Sequence, residues 1–89
     1  MQKTKFHNIE RDDRGPMRQR AMMFMYNNRP SPEQFRGDGE RLIADVNGQE
    51  YVIEGNRLVL WYNEPGTDKF VELHIKQPWV EELILRMTV

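Results

Sequence analysis

Few side chains in this sequence have the chemistry of a nucleophile, a base or a metal ligand. Ser31 is the sole serine, cysteine is absent, and the histidines are His7 and His74. A hydroxyl nucleophile needs a base beside it and an acid that orients that base, and this inventory can hardly assemble the set. Ser31 opens "SPEQFRG" and reads as the N-cap of a compact helical turn. Pro32 then takes the first helical position, Gln34 completes a capping box and Gly37 is the stop. His7 lies in a polar N-terminal stretch, and His74 is expected near a strand end, opposite Arg57, as a solvated or partner-facing imidazole. The expectation is a non-enzymatic protein with no catalytic residue, no cofactor and no metal.

Carboxylates offer the next chemistry. Asp45 and Glu50 are expected directly opposite each other across a hairpin, where like charges cost roughly a few tenths of a kcal/mol and invite a cation or a basic partner. The ordinary reading is that both reach water. "DVNGQE" resembles a fragment of a calcium loop, but its glycine is misplaced and the terminal bidentate glutamate is missing. "RGD" at Arg36 to Asp38 matches the integrin-binding tripeptide by chance, with Gly37 and Gly39 ending a helical turn and leading into a strand. No glycine-rich stretch follows a strand and opens a helix to cradle a phosphate.

The unusual stretch is "MRQRAMMFMYNNRP", residues 17 to 30, which holds four of the six methionines. Its arginines Arg18, Arg20 and Arg29, interleaved with Phe24 and Tyr26, have the types that neutralise phosphates and stack on bases. Opposing that reading, the isoelectric point is near 6.1, and an acidic sheet would repel a nucleic acid. Nucleic-acid binding through the arm is the alternative function.

Charge is divided along the chain. Residues 1 to 36 carry eight Lys or Arg against four acids, and residues 37 to 89 carry five against ten, so a half of net +4 precedes a half of net -5. The division suggests a basic arm for an acidic partner, or one that folds back on its own acidic half. The longest apolar run, Ala21 to Tyr26, is far short of the ~20 residues of a membrane span, and the N-terminal stretch has no apolar signal core. Together with the absence of cysteine, this leads to the expectation of a soluble, cytoplasmic protein.

The elements that must position these residues follow from turn chemistry. Asn47-Gly48 and Gly55-Asn56 each separate two β-rich runs by two residues, the spacing of tight hairpins. Counting outward pairs Val46 with Gln49, Ala44 with Tyr51, Ile53 with Leu58 and Tyr51 with Leu60. One face then collects Leu42, Ala44, Val46, Tyr51, Ile53, Leu58, Leu60 and Tyr62, and a slip of one residue would scramble the sorting. A fourth strand follows "NEPGTD". With Asn63 opposite Asp68, it adds Val71, Leu73 and Ile75 to this first face and sets Trp61 beside Phe70 on the second.

"WVEELILRMTV" after Pro78 reads as a helix with a Trp79, Val80, Leu83, Ile84 and Met87 stripe, in preference to a strand "LILRMTV". "GPMRQRAMMFMY" reads as a helix with Met17, Ala21, Phe24 and Met25 on a stripe, its rival again a strand. The expected fold is therefore α+β: a four-stranded antiparallel meander packed on a C-terminal helix, with a short helical N-terminal arm. Its parts are a tail at 1–15, expected to be weakly ordered, a Met/Arg-rich arm at 16–37, and the meander plus helix at 38–89.

One helix leaves the second sheet face open. There Ile43, Val52, Val59, Trp61 and Phe70 form an apolar strip bordered by Asp45, Glu50, Glu54, Arg57 and Glu72. Such a patch is usually covered, either by the arm of the same chain or by another chain. The leading expectation is a small interaction module that self-associates and binds or occludes a protein partner. Its contacts would be Trp61, Phe70, Val59 and Val52 on the sheet and Met22, Met23, Phe24, Met25 and Tyr26 on the arm. A weaker alternative is a small-molecule binder with a pocket between subunits.

Overall fold

The computed structural model describes residues 10–11 and 15–87. The expectation of weak order for the tail lies outside the described residues except at Glu10–Arg11, whose backbone forms the short strand β1. Helix α1 spans Gly15–Asn27, and a 3-10 turn at Pro32–Gln34 leads into strand β2, Phe35–Asp38. Strands β3 (Arg41–Val46), β4 (Gln49–Glu54), β5 (Arg57–Asn63) and β6 (Lys69–Ile75) follow, and helix α2, Pro78–Met87, closes the order. The class is α+β: β2 to β6 form a five-stranded antiparallel meander, and β1 lies parallel along the outer edge of β6.

The two expected hairpins form in the expected register, with Val46 opposite Gln49, Ala44 opposite Tyr51, Ile53 opposite Leu58 and Tyr51 opposite Leu60. Asn47 and Gly48 both take positive φ, 48° and 88°, which the twist of a two-residue hairpin demands.

A third hairpin corrects the expected count of four strands. The helical turn ends at Phe35 rather than at Gly37, which instead lies mid-strand opposite Leu42. Gly39, at φ 67°, makes the turn to β3, and Arg41 pairs with Asp38 at 3.1 Å across it. The loop before β6 is also longer than expected. Asn63 therefore faces Phe70 rather than Asp68, and His74 faces Val59 rather than Arg57. Because that slip is two residues, every side chain keeps its face.

Both long helical segments form as helices. Pro78 starts α2, Glu81 lies in its first turn and Arg86 in its last, matching the helix dipole. No such charges support α1, so packing must hold it. Asn28 closes its C-terminus by donating its side-chain amide to the Phe24 carbonyl at 3.0 Å, and Pro30 follows. The stripe of Met17, Ala21, Phe24 and Met25 packs with the Trp79, Val80, Leu83, Ile84 and Met87 stripe of α2 into one core over the first sheet face.

Of the two covers weighed for the second-face strip, the arm of the same chain or another chain, α1 is not the cover. α1 lies on the first face beside α2, the face with the larger apolar area to bury. A polar tie fixes its end there: the buried Tyr51 hydroxyl donates to the Asn28 carbonyl at 2.8 Å. No helix of the described residues is long and apolar enough to cross a membrane.

Candidate functional site

Helix α1 is apolar on two sides. Met17, Ala21 and Met25 face the core, where Met25 and Ala21 have no exposed surface. Phe24 also turns inward, 5.6 Å from the Tyr62 ring and 6.5 Å from the Tyr51 ring. On the outward side Met22 is 36%, Met23 64% and Tyr26 52% exposed. At 100° per residue, Gln19, Met22, Met23 and Tyr26 fall on one helical face, with Arg18 at its margin. A helix with apolar side chains on opposite sides has two surfaces to cover, and its own sheet covers one of them.

The arm residues expected to act together are thus divided. Met22, Met23 and Tyr26 form an outward patch, whereas Phe24 and Met25 belong to the core. The five residues of the nucleic-acid reading are separated as well. Arg18 and Arg20 are two positions apart, which sets them about 200° apart around the helix. Arg20 pairs with Glu64 at 2.5 Å, and the Arg29 guanidinium lies 5.0 Å over the Trp79 ring. Arg18 and Tyr26 are both exposed but stand eight residues, about 12 Å, apart along the helix.

The sheet residues expected to bind a partner form the cluster foreseen for them. Ile43, Val52, Val59 and Trp61 pack together with Phe70 against them, and the Trp61 and Phe70 rings lie 6.4 Å apart. Phe70 reaches Trp61 diagonally, since Glu72 is the residue opposite Trp61. They do not form an open surface, however. Val52 is 1%, Val59 6% and Trp61 7% exposed.

Ser31 precedes β2 and His74 lies on β6, at opposite ends of the antiparallel meander. The Ser31 hydroxyl and N–H both donate to Gln34 Oε1, at 3.0 and 2.9 Å, as a cap. His74 Nε2 lies 3.6 Å from a Glu72 carboxylate oxygen on β6. Asp45 and Glu50 stand opposite each other as expected. Among the described residues no three His, Asp or Glu side chains gather to hold a metal ion.

Two groups were not singled out from sequence. Gln49 is buried, and its side-chain amide donates to the Asn63 carbonyl while accepting the Asn63 N–H, both at 2.8 Å, so it extends the β4–β5 ladder by one rung. Its place opposite Val46 in the hairpin was legible, but nothing in a lone glutamine marks the clamp. A groove of about 390 Å³ between α2 and the β5–β6 end has Leu58, Ile75, Val80 and Ile84 on its floor and Arg57 and Lys76 at its rim. It lies within one chain, whereas the small-molecule reading expected a pocket between subunits.

Two tyrosines under α1 titrate high. Burial pushes the Tyr51 hydroxyl well above the ordinary tyrosine value. Tyr62 is raised by burial and then by the Glu64 carboxylate, with Arg20 pulling the other way. Both stay neutral hydroxyls, suited to bonds such as that from Tyr51 to Asn28.

No protein family, curated protein or solved structure matches this chain.

Proposed function

We propose that the protein is a small, non-enzymatic interaction module that self-associates through the outward face of α1. The observation that carries this reading is the exposed patch of Met22, Met23 and Tyr26 on a helix whose opposite side is already core. Flexible thioethers and a tyrosine are residue types that interface cores favour.

A second copy suits the patch. Arg18, Met22 and Tyr26 are spaced by four residues, so an antiparallel two-fold centred on Met22 sets each Arg18 level with the Tyr26 ring of the other copy, a cation–π geometry. The two Arg18 guanidinium groups are then separated by about 12 Å along the axis, beyond the Debye length of ~8 to 10 Å. Like charges therefore oppose this pairing little. The nucleic-acid reading is weakened by the internal partners of Arg20 and Arg29.

Sedimentation equilibrium tests the proposal. The expected result is reversible dimerisation that Met23→Glu weakens by about tenfold or more in Kd, equivalent to about 1.4 kcal/mol or more. A chain that stays monomeric at every concentration, or a dimer indifferent to Met23→Glu, would overturn it.

A further inference from the structure

The groove between α2 and the β5–β6 end joins a packed apolar floor to a cationic rim. Leu58 and Ile75, opposite each other in the β5–β6 register, form its floor with Val80 of α2. All three belong to the first-face core. Ile84, half-buried, and Leu85, 61% exposed, carry the apolar wall from that floor to the surface. The volume of about 390 Å³ lies toward the lower end of the ~300 to 1,000 Å³ of sites that enclose small ligands.

Charge at the rim narrows the class of ligand. The register of Leu58 with Ile75, continued by one residue, sets Lys76 beside Arg57, and both line the groove and are exposed. Like charges in cross-strand positions oppose each other, and an anion between them removes the opposition. The nearest acids in sequence and register are Glu54, opposite Arg57 across the β4–β5 turn, and Glu81, on the α2 side of the groove. Neither is among the ion pairs that the described residues form, which join Arg20 to Glu64, Arg41 to Asp38 and His74 to Glu72. Arg57 and Lys76 thus leave the rim with one more cation than Glu81 balances.

We propose that this groove binds a small amphipathic carboxylate, its aliphatic chain on Leu58, Ile75, Val80 and Ile84 and its head group between Arg57 and Lys76. A guanidinium holds a carboxylate through two parallel N–H donors, and an ammonium adds a compact charge. Each methylene that leaves water in the groove tightens binding by about three- to fourfold. The site is complete within one chain and does not depend on self-association through α1.

A methyl-resolved nuclear magnetic resonance titration of the full chain with sodium decanoate, kept below its micelle concentration, tests the proposal. Saturable shifts are expected at the Leu58, Ile75, Val80 and Ile84 methyls, with Ile43 and Val46 unmoved. Octanoate, two methylenes shorter, should bind about tenfold more weakly. Decylammonium, with the same chain length and the opposite charge, should shift none of these methyls. Arg57→Gln/Lys76→Gln should weaken decanoate binding by about tenfold or more. No saturable shift, or shifts spread equally over Ile43, Val46 and the groove, would overturn the proposal. So would decylammonium binding as tightly as decanoate, or a folded double variant with unchanged affinity.

Discussion

The two faces of the sheet are built from alternate residues of the same strands, yet they are closed by different means. On the first face, Tyr51, Leu58, Leu60 and Val71 have almost no exposed surface beneath two helices that bring complementary apolar stripes. On the second, a narrower strip of Ile43, Val52, Val59 and Trp61 lies beside a row of carboxylates, and no helix of the described residues covers it. The difference shows why a helix chooses one side. A stripe about 100° wide needs a broad apolar surface, and a strip interrupted by Asp45, Glu50 and Glu72 would force carboxylates against its methionines.

The sharpest test of this difference uses two neighbours on β5 that point to opposite faces. Leu60→Ala opens a cavity in the helix-covered core and should destabilise the chain by ~2 to 5 kcal/mol in urea unfolding. Val59→Ala removes less buried surface from the strip and should cost about 1 to 2 kcal/mol. Equal losses, or the reverse order, would break the distinction between a principal and a secondary core.

A smaller effect is expected at Tyr51, whose hydroxyl joins the first face to the end of α1. Tyr51→Phe should cost ~0.5 to 1.5 kcal/mol and increase amide exchange around Asn28. The same substitution has a pH signature. The folded state holds the Tyr51 proton above the ordinary value of 10.0, so unfolding releases protons once the solution passes about pH 10. Stability is therefore unaffected by this group below pH 10 and falls as pH rises above it, and Tyr51→Phe should flatten that alkaline fall.

The smallest effect is expected where α1 runs into the loop that meets α2. The Arg29 guanidinium over Trp79 is exposed, and Arg29→Ala should cost about 0.5 to 1 kcal/mol with a change in Trp79 fluorescence. A larger loss would mean that the α1–α2 connection, rather than the sheet contact, governs the placement of the arm.

Much of this fold was legible where turn chemistry fixes register. Asn47-Gly48 and Gly55-Asn56 set β3, β4 and β5 residue by residue, and period two then sorted both faces correctly. β2 was missed because "FRGD" carries one apolar side chain and Gly37 imitates a helix stop, although Gly39-Glu40 has the Gly-X pattern of a two-residue hairpin. The β5–β6 register slipped because a five-residue connection does not dictate pairing as a two-residue turn does.

For the candidate site, the helical stripe of α1 was legible and so was the apolar second-face strip. Their relation was not, since similar polarity on an arm and a strip says nothing of which of two apolar faces offers more area. The Tyr51–Asn28 bond that helps to decide it spans 23 positions. Nor could the sequence separate outward Met22, Met23 and Tyr26 from inward Phe24 and Met25 without knowing which face α1 buries.

The measurement that bears most directly on the proposed self-association is sedimentation equilibrium of the full chain beside Met23→Glu. The native protein should approach twice the 10.7 kDa chain mass as concentration rises, and the variant should remain near a single mass with an unchanged circular dichroism spectrum. Identical masses for the two proteins at every concentration would contradict a role for the outward face of α1.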